Sequence, residues 1–478
     1  MADYETVIGL EVHAQLLTKS KIFSDAPVGS DAEPNTNVSP VCLGMPGVLP
    51  VLNKKAVELA VKAAAATNCE IARVSRFERK NYFYPDLPKG YQISQYEEPL
   101  ATGGWIEIES GGEAKKIRIT RIHMEEDAGK LVHSESVSLV DLNRAGVALI
   151  EIVSEPDMRE PEEAAEYVRT LRQILRYIGA CDGNMEKGNL RCDANVSVRP
   201  AGCGKLGTKV EIKNLNSFKF IKKALEYEIK RQIAALQNGE ELIQETRLFD
   251  DASGKTFPMR SKEEAEDYRY FPDPDLPPLV VEKKWADDLK KSIPELHVEK
   301  TRRFENDYGI KTDDARRLTS ERALADYFES AAKHSGAAKE TANWILTNVV
   351  GRGEGGEESD FAVSAENLGE MIEMIKNGKI NGKIAKETVF PQMVETGKTA
   401  PEVVEAAGVS QLSDSGEIEK IVREFVEAHP SETRRLREGD EKLTGFFVGG
   451  VMKITKGKAN PQMVNEILKK ILSEGSSQ

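Results

Sequence analysis

Arg191-Cys192-Asp193-Ala194-Asn195-Val196-Ser197-Val198-Arg199 alternates without a break. Cys192, Ala194, Val196 and Val198 fall on one side, and Arg191, Asp193, Asn195, Ser197 and Arg199 on the other. A two-residue period of this kind marks a strand with one buried and one polar face. After a glycine-rich turn, residues 208–213 resume the pattern, with Val210 and Ile212 opposed to Lys209, Glu211 and Lys213. The two segments read as an antiparallel hairpin whose polar face carries both Asp193 and Glu211. Residues 6–16 repeat the design: Ile8, Leu10, Val12, Ala14 and Leu16 oppose Val7, Gly9, Glu11, His13 and Gln15. Helical periodicity over 162–178 and 218–237 punctuates the strands. Residues 1–293 are therefore expected to form an α+β domain around a largely antiparallel sheet.

Phe271-Pro272-Asp273-Pro274-Asp275-Leu276-Pro277-Pro278 can continue neither a helix nor a central strand, and a boundary is expected near residue 293. Beyond it the pattern is helical. Helices are expected over 323–333 and 339–350, and a third is opened by the capping pair Thr399 and Glu402 and stopped by Gly408. Residues 351–360, rich in Gly and Glu, read as a connection. Residues 294–410 thus form one all-α module and 411–478 a second, which contains the apolar run 443–454 and a helix entered by Asn460-Pro461. Gly445, Gly449 and Gly450 in that run are expected to allow close helix packing.

The chain has 478 residues, and its 66 basic against 79 acidic side chains give a net charge of -13. That balance argues against general coating of nucleic acid, but not against a local basic patch. No stretch is long and apolar enough to span a bilayer, and the first residues lack a signal core. Five scattered cysteines include no CxxC pair. The expectation is a cytoplasmic protein with no membrane partner.

Arg121-Ile122-His123-Met124-Glu125-Glu126-Asp127-Ala128-Gly129-Lys130 ends an apolar run on three consecutive carboxylates. Two readings stand: a site for a hard divalent ion, or a solvated acidic turn. Glu11 and His13, two apart on one strand face, offer the same choice between ligands and a surface pair. Together, Glu11, His13, Glu125, Glu126, Asp193 and Glu211 would give a sheet face able to hold Mg²⁺ against nucleotide phosphates.

Residues 79–96 interleave Arg79, Lys80 and Lys89 with Tyr82, Phe83, Tyr84, Tyr91 and Tyr96, and Tyr268-Arg269-Tyr270-Phe271 repeats the mixture. Such a mixture stacks a base and holds a phosphate, or braces a loop on the sheet. Gly202 to Gly207 and Gly351 to Gly356 match the dinucleotide fingerprint, but neither links a strand to a helix as that chemistry requires. Lys442, Lys453, Lys456 and Lys458 form a modest cationic cluster near the C-terminus, open to phosphates or merely solvated.

Several longer motifs carry a resemblance. Glu5 to His13, Pro46-Gly47-Val48-Leu49-Pro50, Lys80 to Asp86, Arg121 to Lys130 and Val140 to Arg144 are similar to segments of the GatB family, the B subunits of tRNA-dependent amidotransferases. So are Leu190 to Asn195, Lys213 to Ser217, Tyr268 to Pro272 and Gly457 to Pro461, in order along the whole chain. The resemblance implies a glutamine synthetase-like catalytic domain followed by helical modules that cradle tRNA. It implies use of ATP and Mg²⁺ to phosphorylate the side-chain carboxylate of Glu on tRNA(Gln) or of Asp on tRNA(Asn), which ammonia then amidates. The ammonia would come from the amidase (GatA) partner in a heterotrimer completed by a small third partner (GatC), and nothing in this chain reads as a glutaminase. A non-catalytic tRNA scaffold and a free-standing carboxylate-amine ligase are the alternatives.

Carried over by position, Glu11, His13 and Glu126 are expected as metal ligands. Glu125, Asp193 and Glu211 would hold a second ion or the nucleotide's magnesium, and Lys80 would neutralise the transferring phosphoryl group. Tyr82, Tyr91 and Ser94 are expected to shape the pocket for the aminoacylated 3′ end, and Lys453, Lys456 and Lys458 to meet tRNA. Many members bind zinc through four cysteines, where this chain has Ser24, Ala26, Ser39 and Cys42. No zinc is expected.

Overall fold

The computed structural model describes residues 4–29, 32–134, 136–259, 268–350, 361–409, 415–455 and 459–474. The chain divides into two compact units, Met1–Leu296 and His297–Gln478.

The first unit is built on a nine-stranded sheet, in the spatial order Lys255–Pro258, Glu245–Asp250, Val210–Lys213, Leu190–Pro200, Tyr4–Gln15, Ala148–Ser154, Glu113–Glu126, Ala101–Ser110 and Glu70–Ile71. Every neighbouring pair is antiparallel except Val210–Lys213 with Glu245–Asp250. The hairpin expected from the alternation forms, with Ala194 opposite Ile212 and Asn195 opposite Glu211. The fold class is α+β, as the alternation required.

The apolar face of the sheet supplies Ile8, Leu10, Val12, Ala14, Ile122, Met124, Ile150, Ile152, Ala194 and Val196 to one core, each 0–1% exposed. Helices Pro161–Tyr177 and Phe218–Gln237 pack on that face. The first starts at Pro161 behind a capping box of Glu160 and Glu163, and the second starts after Ser217, whose hydroxyl accepts from the Phe220 amide. With one face filled by the core, register is fixed: a slip of one residue would send every apolar side chain to the polar side.

A three-stranded sheet of Phe271–Pro272, Glu78–Asn81 and Tyr91–Ser94 carries the two aromatic segments together. Asp273 and Asp275 tie this layer down through Arg79, at 2.9 and 2.8 Å.

In the second unit, helices between His297 and Ala407 enclose a core around Phe304, Phe328, Leu368 and Phe390. The expected helix over 339–350 runs as α-helix Ala338–Trp344 and then as wider π-helical turns Ile345–Val349. Thr399 and Glu402 form the expected capping box, and Gly408 ends that helix in the left-handed conformation, φ 58°. The connection expected over 351–360 lies outside the described residues. Helices Ser415–Ala428, Pro430–Arg437, Leu443–Ile454 and Pro461–Glu474 share a separate core that includes Val422, Phe447, Val464 and Leu468.

Of the three glycines in Leu443–Ile454, only Gly450 is packed tightly. A Cβ there would lie 2.1 Å from Phe425, whereas Gly445 and Gly449 have nothing within 4 Å. Gly450→Ala should therefore destabilise this helical module by about 1–3 kcal/mol through overpacking. Gly449→Ala should be neutral or stabilising by up to about 1 kcal/mol from helix propensity. Urea unfolding of the two variants checks the difference in sign.

Candidate active site

The polar face of the sheet is laid out by register. His13 lies opposite Glu151 on one side and Arg191 on the other, and Glu151 lies opposite His123. This gives a row Arg191, His13, Glu151, His123 across four strands. The next row holds Asp193, Glu11, Val153 and Arg121. Glu125 projects from the same face as His123, two residues further along its strand.

His13 Nε2 stands 3.6 Å from Glu125 Oε1 and 3.3 Å from Glu151 Oε2. His123 Nε2 stands 3.8 Å from Glu125 Oε2 and 3.3 Å from Glu151 Oε2. Burial opposes a charge on either imidazole, but the two carboxylates outweigh it. His123 is raised to about 9, and His13 is raised as well by the Glu151 hydrogen bond and the charges of Glu125 and Glu151. Glu151, also against its burial, is held well below the usual carboxylate range by His123 and then His13. Without an ion, the two histidines are thus the counter-charge for the two acids.

His13, Glu125 and Glu151 each bring a ligand atom to within 4.8 Å of the others, the one such group among the described residues. Two carboxylates and an imidazole fit a divalent cation, and the carboxylates suit a hard one. Glu151 was not among the residues expected from sequence. Its signal was present: it is the single charged residue between Arg144 and Glu155, set in the apolar strand Leu149-Ile150-Glu151-Ile152-Val153.

Beside this group stand Glu11, Asp193 and Glu211. Lys213 Nζ reaches Asp193 at 2.9 Å and Glu211 at 3.1 Å, and Thr246 donates to Glu211 at 2.7 Å. Glu11 accepts from Asn195 Nδ2 at 2.9 Å. Its pKa is raised by burial and by the charges of Glu151, Glu211 and Asp193. A cavity of about 250 Å³ opens against Glu11, lined among others by Val7, Gly9, Pro156, Ser197 and Lys209.

The acidic triplet is no solvated turn. Glu125, Glu126 and Asp127 are all 2–4% exposed, yet they part company. Glu126 alternates to the opposite side of its strand from Glu125. There its Oε1 takes the Lys89 ammonium and, at 2.9 Å, the Ile93 amide. The structure therefore does not bring Glu126 to His13; that place belongs to Glu125 and Glu151. Asp127 accepts from Arg191 Nη2 at 2.9 Å and from Gln15 Nε2 at 2.9 Å, with Arg144 at 3.6 Å. It ties the strand ends together.

The residues expected around the substrate lie on the aromatic layer. Ser94 donates to Glu125 at 3.4 Å. Burial and then the charges of Asp86, Glu125 and Glu126 push the Tyr82 hydroxyl up. The Tyr91 ring carries Arg79 at 4.2 Å and Lys89 at 5.2 Å from its centroid. Lys80 sits 4.8 Å over the Tyr268 ring and, among the described residues, forms no ion pair with the sheet carboxylates. Tyr96 and Tyr270 stack at 4.4 Å, a pair that sequence did not single out. Lys453 is exposed on the last turn of Leu443–Ile454, while Lys456 and Lys458 lie outside the described residues.

The four positions expected to lack zinc are a different kind of cluster. Cys42 Sγ accepts from Ser39 Oγ at 3.3 Å and from the fully buried Lys21 Nζ at 3.4 Å, with Ser24 Oγ at 3.9 Å. One thiol beside an ammonium, two hydroxyls and a methyl group do not fit a tetrahedral zinc site.

A family model described as the GatB/GatE catalytic domain matches residues 6–287, and one described as the GatB domain matches 326–472. The B subunit of the aspartyl/glutamyl-tRNA(Asn/Gln) amidotransferase of Thermodesulfovibrio yellowstonii is 59% identical over 474 residues, 98% of this chain and 100% of its own length. The protein of the same name from Persephonella marina is 54% identical over 473 residues, with the same coverage.

Glu151→Gln should lower the affinity for Mg²⁺ or Mn²⁺ at least about 10-fold, because it removes a candidate ligand and the partner of both histidines. Glu126→Gln should leave that affinity close to wild type. Calorimetric titration of the two variants with either ion tests the assignment.

Proposed function

The chain belongs to the GatB family of aminoacyl-tRNA amidotransferase subunits, and on that premise we propose that its polar sheet face activates a side-chain carboxylate with ATP. The substrate would be Glu on tRNA(Gln), Asp on tRNA(Asn), or both. A carboxylate oxygen attacks the γ-phosphorus, ADP leaves, and ammonia displaces phosphate from the acyl phosphate to give the amide. One observation carries the reading: His13, Glu125 and Glu151 converge within 4.8 Å, Glu125 buried and the other two half-buried, on a face that opens beside a cavity. A scaffold that only bound tRNA would have no use for such a convergence of ligand-type side chains.

His13, Glu125 and Glu151 would hold one divalent ion, and Glu11, Asp193 and Glu211 a second or the magnesium of the nucleotide. Such ions supply neutralisation of phosphate charge during transfer. The cavity beside Glu11 is smaller than the roughly 300 Å³ at which whole-ligand sites begin, so it suits the nucleoside and leaves the phosphates over the carboxylates. Ser197 and Lys209 offer it polar contacts. The aminoacyl end would enter from the opposite side, past Tyr82, Tyr91 and Ser94. Lys80, held over Tyr268, would act on the incoming tRNA end or reach the phosphoryl group once substrate is bound.

The ammonia would come from the amidase partner, GatA, with the small GatC protein completing a cytoplasmic heterotrimer. The helical module with Lys453, Lys456 and Lys458 would hold the tRNA body. The protein would bind no zinc, a reading supported by the Lys21 ammonium and the hydroxyls beside Cys42; stoichiometric zinc in the purified protein would contradict it.

In the assembled complex, Glu125→Gln should reduce ATP-dependent amidation at least about 10²-fold while tRNA affinity stays near wild type. Wild-type turnover would return the site to a structural role. Removal of residues 411–478 should raise the KM for aminoacyl-tRNA; a free-standing ligase for a small molecule would keep its kcat/KM.

A further inference from the structure

The polar face carries several cations, and most are committed. Arg191 is paired with Asp127 at 2.9 Å, and Lys213 bridges Asp193 and Glu211. Arg121 is not, and unlike the exposed Lys209 it holds a buried donor without a partner. It projects from the same face as His123 and Glu125, and its cross-strand neighbour is Val153, with Glu11 one strand further on. Its Nε is buried and has no hydrogen-bond partner, and among the described residues no carboxylate pairs with its guanidinium.

What it does touch is aromatic. Its guanidinium carbon lies 5.7 Å from the centroid of Tyr96, which is stacked on Tyr270. Leaving a buried guanidinium N–H unmade is unfavourable, and a planar five-donor fork beside an aromatic wall is suited to an anionic oxygen pair. The aromatic contact restrains the side chain without consuming its donors. Val153, the cross-strand neighbour of Arg121, lines the cavity beside Glu11, so Arg121 flanks the proposed nucleoside position without lining it.

We propose that Arg121 grips the anionic end of the aminoacyl side chain, first the carboxylate and then the acyl phosphate formed from it. This rests on the function proposed above. As the carboxylate oxygen bonds to the γ-phosphorus, the bond from that phosphorus to the bridging oxygen breaks, and its electron pair leaves on ADP. Arg121 holds the oxygens that remain on the acyl side. When ammonia attacks the carbonyl carbon, phosphate departs with the carbon–oxygen bonding pair and takes one N–H proton. Release of that phosphate ends the contact. The charge on Arg121 thus offsets both the repulsion between the substrate carboxylate and Glu11, Glu125 and Glu151, and the charge delivered with the phosphoryl group.

The test uses the complete amidotransferase complex with Glu-tRNA(Gln) or Asp-tRNA(Asn), ATP and glutamine. Arg121→Ala should lower kcat for amidation about 10²–10³-fold, the scale seen for arginines and hydrogen-bond donors acting on transferring groups. Nucleotide affinity, measured with ADP, should be unchanged. Added guanidinium chloride, at concentrations that leave the wild-type rate unaffected, should restore part of the turnover of Arg121→Ala. Arg121→Lys should recover less than the native fork provides. Turnover near wild type, a loss with no guanidinium response, or a parallel loss of ADP affinity would each overturn the assignment. Failure of the wild-type complex to couple ATP cleavage to amidation would instead remove the underlying reading, so the two failures are distinguishable.

Discussion

Three buried carboxylates in succession, Glu125, Glu126 and Asp127, impose the constraint on which the site depends. Carboxylates adjacent in sequence repel one another, and none can be left bare at this depth. The strand solves this by its own alternation. Glu125 goes to the polar face and meets His13 and His123, Glu126 goes to the other side and meets Lys89, and Asp127 at the strand end meets Arg191. Three acids adjacent in sequence end in three separate electrostatic environments.

Each pairing reaches across the chain, so the acids also hold the domain together. Glu126 fastens the Tyr91–Ser94 strand through the Ile93 amide, and Asp127 fastens the ends of Tyr4–Gln15 and Leu190–Pro200 through Gln15 and Arg191. Glu125 alone faces a balance that an ion can alter. Its partners are imidazoles, which can give up a proton to make room for a metal, whereas Glu126 is held by an ammonium and Asp127 by a guanidinium. The same strand therefore offers one adaptable carboxylate and two fixed ones, and chemistry collects around the adaptable one.

Much of the fold was legible because alternation is a direct consequence of strand geometry. The hairpin of Leu190–Pro200 with Val210–Lys213, the buried face of Tyr4–Gln15 and the capped helix from Ala400 follow from side-chain period and from capping chemistry alone. The site was legible in part. Of the triplet, the structure brings Glu125 to His13, whereas expecting Glu126 beside His13 neglected the same alternation that had located the strands. Glu151 escaped because a lone acid in an apolar strand resembles an edge position until its neighbours are known. Lys80 was assigned by position in a motif, and its aromatic partner, Tyr268, lies nearly two hundred residues away along the chain.

By itself the sequence determined which residues alternate, where helices begin and end, that acids, histidines and basic aromatics recur in the first 293 residues, and which family the motifs resemble. These are local properties, set by φ/ψ geometry, side-chain period and capping within a few residues. Only the tertiary structure decided which acid meets which cation. Strand order places Tyr4–Gln15 between Leu190–Pro200 and Ala148–Ser154, and this order brings His13 against Glu151 while leaving Arg121 with no carboxylate partner among the described residues. Ion pairing and metal ligation need contact distances, so a site of this kind exists only once segments distant in sequence have been set side by side.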